Sequence, residues 1–165
     1  MKKFFLLGMP ASGKSRLGKF IATNSKLDFI DLDKEIEGKL KLGVKDIFEK
    51  MGEIYFRNQE TKILGDIIKD RNEFILATGG GTPVFNNNMS LINKSGVSIF
   101  IDVDRDTLIE RISRNNKRPL FKNNISVGEK LDKLYLERIN FYKKSTHTIN
   151  KSIRDSALSI INSYT

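Results

Sequence analysis

The chain contains no cysteine and a single histidine, His147. The first absence excludes disulfides, thiolate metal sites and thiol nucleophiles. The second excludes a histidine metal cluster and leaves little scope for a His-dependent triad. No apolar run approaches the ~18 residues that a membrane-spanning helix needs. The start, Met1-Lys2-Lys3-Phe4-Phe5-Leu6-Leu7, has the beginnings of a secretory leader, but Gly8 and Pro10 end its apolar run too early. With only three prolines there is no Pro/Gly-rich linker, and neither an internal repeat nor a low-complexity tract occurs. These absences point to a cytoplasmic protein without a membrane partner.

What is present is enough for one domain spanning residues 1–165. Hydrophobic residues make up 39% of the chain, sufficient for a core, while 30% charged residues and a mean hydropathy of −0.35 describe a soluble surface. Lysine and arginine number 29 against 20 acidic residues, a net charge of +9. That excess suits an anionic partner: nucleic acid, a membrane surface or a phosphorylated small molecule. The basic residues are spread along the chain, with no basic stripe or aromatic stacking platform of the kind nucleic-acid binders use.

Short apolar runs alternate with helical spacing from end to end. Phe4–Leu7, Phe29–Leu32, Phe74–Ala77, Val97–Ile101 and, more weakly, Thr146–Ile149 read as strands. A helical run opens at Lys14 and continues through Leu17–Asn24; Lys34–Leu42, Tyr55–Lys69, Arg105–Arg114, Val127–Phe141 and Arg154–Tyr164 also carry helical periodicity. The alternation predicts βαβ units around a parallel sheet, an α/β fold. Asn115–Ser126, polar and asparagine-rich around Arg118-Pro119, reads as a lid or as an ordinary exposed loop.

Four stretches carry chemistry. Gly8-Met9-Pro10-Ala11-Ser12-Gly13-Lys14-Ser15 matches G-x-x-x-x-G-K-[ST] between a strand and a helix. Glycines let the backbone curl its N–H groups around phosphate oxygens, the helix N-terminus adds positive charge, Lys14 reaches the outer phosphates and Ser15 can hold Mg²⁺. Asp31-Leu32-Asp33 closes the second strand. Period-two geometry would put both carboxylates on one face, Leu32 turned to the core. One carboxylate could then orient Mg²⁺ through water and the other accept a hydroxyl proton; the alternative is that Asp33 caps the next helix. Arg57 and Glu60 are three apart and can pair as an ordinary surface salt bridge. Gly79-Gly80-Gly81 directly follows a strand, as a tight turn or because the backbone closely approaches a neighbour.

Taken together, Gly8–Ser15, Asp31-x-Asp33, Gly52-Glu53-x-x-Phe56-Arg57-x-x-Glu60, Gly79–Gly81, Arg118-Pro119-Leu120 and Glu137-Arg138-x-x-x-Tyr142 resemble the shikimate kinase family, over residues 4 to about 150. The resemblance implies a P-loop NTPase fold of the nucleoside-monophosphate-kinase type, a five-stranded parallel sheet in order 2-3-1-4-5 flanked by helices, with a mobile lid. It implies transfer of the γ-phosphate of ATP to the 3-hydroxyl of shikimate, giving ADP and shikimate 3-phosphate on the way to chorismate and aromatic amino acids. The shikimate region would lie at about 33–61 and the lid at about 115–126. Gly8, Ala11, Ser12, Gly13, Lys14, Ser15 and Arg16 would bind nucleotide; Arg111 would stack on adenine and Arg118 fold over the phosphates. Ser15, and Asp31 through water, would hold Mg²⁺. Asp33 would take the hydroxyl proton, making Lys14, Asp33 and Arg118 the catalytic set. Arg57 and Arg138 would clamp the substrate carboxylate, Gly79, Gly80 and Gly81 would line the substrate with backbone donors, and Phe48 and Phe56 would pack on its ring. A monomer is expected, with no nucleic-acid partner. Two features depart from a generic P-loop enzyme or leave a gap: no aspartate follows the third strand, where Ala77 runs into Thr78 and the glycines, and Lys151–Arg154 gives no clear adenine loop. The rival readings are another small-molecule P-loop kinase such as a gluconate kinase, a basic nucleic-acid-binding P-loop protein, or a degenerate P-loop partner protein.

Overall fold

The computed structural model describes residues 2–114 and 126–164. Five strands, β1 (Lys2–Leu7), β2 (Asp28–Asp31), β3 (Glu73–Ala77), β4 (Val97–Ile101) and β5 (His147–Ile149), form one parallel sheet in the order β2-β3-β1-β4-β5. Both the strand count and the order are those expected from the sequence. β1 sits at the centre, and Phe4, Phe5, Leu6 and Leu7 are fully buried. Such a strand needs no polar face because helices cover the sheet on both sides.

Side-chain alternation divides the core in two. Phe4 and Leu6, with Ile75, Ile99 and Ile149, pack against α1 (Lys14–Asn24) and α7 (Ile153–Ser163). Phe5 and Leu7, with Phe74, Leu76 and Phe100, face α2 (Leu32–Leu40), α3 (Val44–Asp70), α4 (Asn88–Ser95), α5 (Arg105–Arg114) and α6 (Val127–Tyr142). The result is a three-layer α/β/α sandwich. Among the described residues no helix is long and apolar enough to cross a membrane.

Register places the chemistry at one edge. Leu6 pairs with Ala77, Leu7 with Phe100, and Asp31 with Ala77. The carboxyl ends of β1, β2 and β3 therefore finish level, which is where open parallel sheets bind ligands.

Three local expectations are corrected. Strand β2 ends at Asp31, and Leu32 already belongs to α2, so Asp31 and Asp33 do not alternate along a strand. Asp31, and not Asp33, is the N-cap: its carboxylate accepts from the Lys34 N–H at 3.4 Å. Leu32 is buried as expected. Second, the helix expected at Tyr55–Lys69 starts eleven residues earlier, broken only at Gly52 (φ 84°, ψ 167°), a backbone conformation glycine adopts without strain. Third, α4 and a 3₁₀ turn at Thr82–Val84 fill a stretch left unassigned. Of the expected lid only Ser126 is described, as the N-cap of α6 in a reciprocal capping box with Glu129; residues 115–125, Arg118 among them, lie outside the described residues.

Candidate active site

The loop after β1 is shaped by backbone geometry. Gly8 (φ 151°) and Gly13 (φ 94°) hold left-handed dihedrals, and Ala11 (φ 66°) joins them despite its side chain. Gly8 is also needed for space: a Cβ there would lie 2.8 Å from Ser12 Oγ and 2.9 Å from the Ile101 carbonyl oxygen. Helix α1 starts at Lys14 with no side-chain cap and no acidic residue in its first turn. Its leading N–H groups thus face the loop without a carboxylate competing for them, an anion cradle by construction. Ser12 is buried, and its Oγ has no hydrogen-bond partner. Lys14 Nζ donates to the Gly8 and Met9 carbonyls at 2.8 and 2.9 Å, which holds the ammonium inside the curl. From the opposite side Arg111, on α5, donates Nη1 to the Ala11 carbonyl at 3.1 Å. Arg16 is exposed on the first turn of α1.

Next to the loop, Ser15 Oγ donates to Asp31 Oδ2 at 2.6 Å, so a hydroxyl and a carboxylate converge where β2 ends. Asp33, one position into α2, is largely shielded from water. Its carboxyl is raised from 3.8 to about 6, first by burial and then by the Asp31 and Glu60 charges, with Lys14 pulling it partly back. A carboxyl group poised near neutrality beside a P-loop lysine has the character of a proton acceptor.

The glycine turn after β3 makes room for side chains. A Cβ on Gly79 would stand 3.2 Å from Asp33 Oδ1 and 3.1 Å from Glu60 Oε1; on Gly80, 2.8 Å from Arg138 Nη1; on Gly81, 2.5 Å from Arg57 Nη2. Three consecutive glycines thus admit an acid pair and two guanidinium groups to one short stretch of backbone. Arg57 is 9% and Arg138 8% exposed. Arg57 does pair with Glu60, Nη1 to Oε2 at 2.9 Å, but Glu60 is fully buried, so this is not the surface salt bridge that spacing alone suggests. Glu60 Oε1 in turn accepts from Thr82 Oγ1 at 2.6 Å, and Glu53 accepts from Arg57 Nε at 3.3 Å. Phe85 lies under the guanidinium at 4.3 Å from ring centroid to Cζ, with Phe56 at 5.2 Å and Phe48 at 5.8 Å. Phe48 and Phe56 touch each other, centroids 4.5 Å apart.

The structure therefore brings Lys14, Ser15, Asp31, Asp33, Arg57, Arg138 and Gly79–Gly81 to one edge of the sheet, with Phe48 and Phe56 against Arg57. Sequence reasoning gave no site role to Thr82 and Phe85, which nothing in a local pattern marks. It named Tyr142 only within a motif, although the four-residue spacing from Arg138 put the two on one helix face. Its hydroxyl lies between the phosphate loop and the glycine turn, 3.1 Å from the Gly8 carbonyl and 2.5 Å from that of Gly80.

Known proteins resemble this chain in sequence and fold. The family model described as shikimate kinase matches residues 10–164. A shikimate kinase of Clostridium botulinum (strain ATCC 19397 / Type A) is 38% identical over 168 residues, covering 99% of this chain and 96% of that protein. Among solved structures, the shikimate kinase of Bacteroides thetaiotaomicron superposes with a TM-score of 0.90 at 27% identity, covering 99% of this chain and 97% of the other. The Acinetobacter baumannii shikimate kinase, solved in complex with shikimate, gives 0.89 at 29% identity, with 99% and 93% covered. A match of this length to the family model, with a full-length relative well above 30% identity, has one meaning: the chain belongs to the shikimate kinase family.

Proposed function

We propose that this kinase moves the γ-phosphate of ATP to the 3-hydroxyl of shikimate with the residues described above in distinct roles. The observation that carries the reading is the junction at Gly79–Gly81: a carboxyl pushed up to about 6 stands on one side and two shielded arginines on the other, all within reach of the phosphate loop. A polyol acid fits such a site, its carboxylate at Arg57 and Arg138 and its hydroxyl at Asp33. Guanidinium groups give charge-assisted hydrogen bonds of fixed geometry to a carboxylate. Phe48 and Phe56 offer the ring an apolar wall, and the Gly79–Gly81 backbone offers donors.

In transfer, the bond from the γ-phosphorus to the ADP oxygen breaks, a bond to the substrate oxygen forms, and the hydroxyl proton passes to the Asp33 carboxylate. Lys14 leaves the loop carbonyls for the phosphates, where charge spreads over the equatorial oxygens in the transition state. The loop N–H groups from Gly8 to Ser15 cradle the phosphates, with Ala11, Ser12, Gly13 and Arg16 alongside, and Arg111 flanks the adenine side. Arg118, outside the described residues, adds a further cation over the phosphates. For Mg²⁺, the hard oxygens of Ser15 and Asp31 suit an ion that keeps most of its waters. Among the described residues no group of three or more acidic or histidine side chains could hold a metal ion. Bound at Ser15 and Asp31, Mg²⁺ would neutralise phosphate charge. We further infer a cytoplasmic monomer whose partners are ATP and shikimate and not nucleic acid, in keeping with its dispersed lysines.

The test is ADP release with shikimate, gluconate, AMP and methyl shikimate as acceptors. Shikimate alone should be used well. Loss of the anionic partner from a shielded charge pair costs about 2–5 kcal/mol, so the ester should lose roughly thirtyfold or more in kcat/KM. An ester used as well as the acid removes the carboxylate clamp; gluconate used as well as shikimate removes the acceptor assignment.

A further inference from the structure

We propose that Tyr142 is a positioning residue that holds the phosphate loop and the glycine turn in register through its single hydroxyl. The inference rests on the reading that these two segments carry ATP and shikimate. Tyr142 ends α6, one turn after Arg138, and is completely buried. Its ring stacks on Phe100 of β4, centroids 5.0 Å apart and planes 26° from parallel, so the phenol oxygen has a fixed place. That place lies between two carbonyls of different segments: Gly8, 134 residues away in sequence, and Gly80, 62 away. The two segments also run close together, since a Cβ on Gly80 would lie 3.3 Å from the Pro10 ring.

A phenol has one proton and can donate to one carbonyl at a time. The shorter distance, 2.5 Å, assigns that proton to Gly80, because two oxygens at that separation need a proton between them. Gly8 at 3.1 Å is the second acceptor, and its carbonyl also receives Lys14 Nζ at 2.8 Å. Two acceptors on two segments therefore compete for one fixed proton, and the Lys14 seat shares one of them. Burial pushes the phenol up to about 12, with the Arg138 charge pulling it partly back. The group is thus a neutral donor at every working pH. The oxygen donates to the turn beside Arg138, while standing against the loop that carries the transferred phosphate. A shift of the loop against the turn changes the distance between donor phosphate and acceptor hydroxyl, to which rate is far more sensitive than either binding step.

The experiment compares Tyr142→Phe with Phe74→Leu in the full chain, measuring kcat, unfolding temperature, and separate dissociation constants for shikimate and ATP. Tyr142→Phe should lower kcat about tenfold or more while each dissociation constant stays within about twofold. Phe74→Leu, which loosens the same apolar core at its contact with Phe5 and leaves the Tyr142 ring stacked on Phe100, should lower the unfolding temperature with kcat within about twofold. The proposal is overturned if Tyr142→Phe keeps kcat within about twofold, or if both variants lose activity in step with stability. Should Tyr142→Phe fail to fold, proton NMR of the parent decides. A phenol proton bound between buried carbonyls exchanges slowly and gives its own resonance; one exchanging with water as fast as that of the exposed Tyr135 overturns the proposal. That measurement needs no substrate, so it stands apart from the acceptor panel, whose failure would overturn the substrate reading instead.

Discussion

Asp33→Asn should abolish transfer and at the same time stabilise the ligand-free protein. The side chain keeps its shape and loses its charge. In the native state the carboxyl is raised from 3.8 to about 6, first by burial and then by the Asp31 and Glu60 charges. A group with a raised folded-state pKa contributes stability that is fully present below its unfolded value and is lost as pH climbs through the folded one. Near pH 8 the parent therefore carries a charged Asp33 that the fold disfavours. The 2.2-unit difference between those two values, at about 1.36 kcal/mol per unit, sets a ceiling of about 3 kcal/mol. Sharing of the effect among Asp31, Glu60, Glu37 and Lys14 brings the expected gain to about 1–3 kcal/mol. For a domain of this size each kcal/mol moves the unfolding midpoint by roughly 2–4 °C, so the variant should melt about 3–10 °C higher.

The difference should vanish below about pH 4, where Asp33 is protonated folded or unfolded, and open between about pH 4 and pH 6. Thermal unfolding of both proteins across that range measures it directly, the other carboxyl groups cancelling in the comparison. Turnover, measured on the same samples near pH 8, should fall about a hundredfold or more, the ordinary worth of a positioned base. A variant that melts at or below the parent at every pH would refute the burial argument. One that turns over like the parent would refute the proton-acceptor role, whatever its stability.

Lys14→Met should lower turnover by at least about a hundredfold in a protein that still folds and unfolds cooperatively, measured by coupled assay and calorimetry, since the ammonium is asked to stabilise transition-state charge. Gly81→Ala should raise the shikimate KM about tenfold or more and leave the ATP KM alone. Gly81 has ordinary helical dihedrals (φ −89°, ψ −14°), so the methyl group acts only by displacing Arg57, which Glu60 and Phe85 hold in place. Phe85→Leu removes a cation–π contact worth about 0.5–2 kcal/mol and should raise the shikimate KM roughly twofold to thirtyfold, with the ATP KM as the internal control. A proportional change in both KM values would assign Phe85 to general packing.

The parts legible in the sequence are those whose physics is local. Phe4–Leu7 reads as a buried strand because an unbroken apolar run of that length fits little else, and the loop after it is legible because phosphate binding demands glycines at fixed spacing. Asp31-x-Asp33 failed at the geometric step. Alternation holds only while the strand lasts, and the strand ends at Asp31, whose carboxylate takes the capping role that spacing had offered to Asp33. The raised carboxyl of Asp33 owes most to burial, which no dipeptide pattern encodes. Glu60 shows the same limit. Its three-residue spacing from Arg57 predicts the pair, while its complete burial depends on Thr82 and on Gly79, brought over by β3.

That burial also changes which experiment can test the clamp. Were the Arg57–Glu60 pair exposed, Arg57→Ala would be nearly silent for stability, and any kinetic loss could be assigned to substrate. With Glu60 fully buried, removing Arg57 leaves an uncompensated charge inside the protein, a defect of about 3–5 kcal/mol. Loss of activity in Arg57→Ala would then say nothing about the carboxylate. Changing the ligand avoids the confusion, because the acid and its methyl ester meet the same folded protein. Glu60 already balances the charge of Arg57, whereas Arg138 shares its surroundings with the neutral Tyr142 hydroxyl and the Gly80 backbone. Of the two arginines, Arg138 has the more charge left for an incoming carboxylate. The ester should therefore lose most of its penalty in Arg138→Gln, where acid and ester should differ by only about twofold to fivefold. A full thirtyfold preference surviving in that variant would place the carboxylate elsewhere.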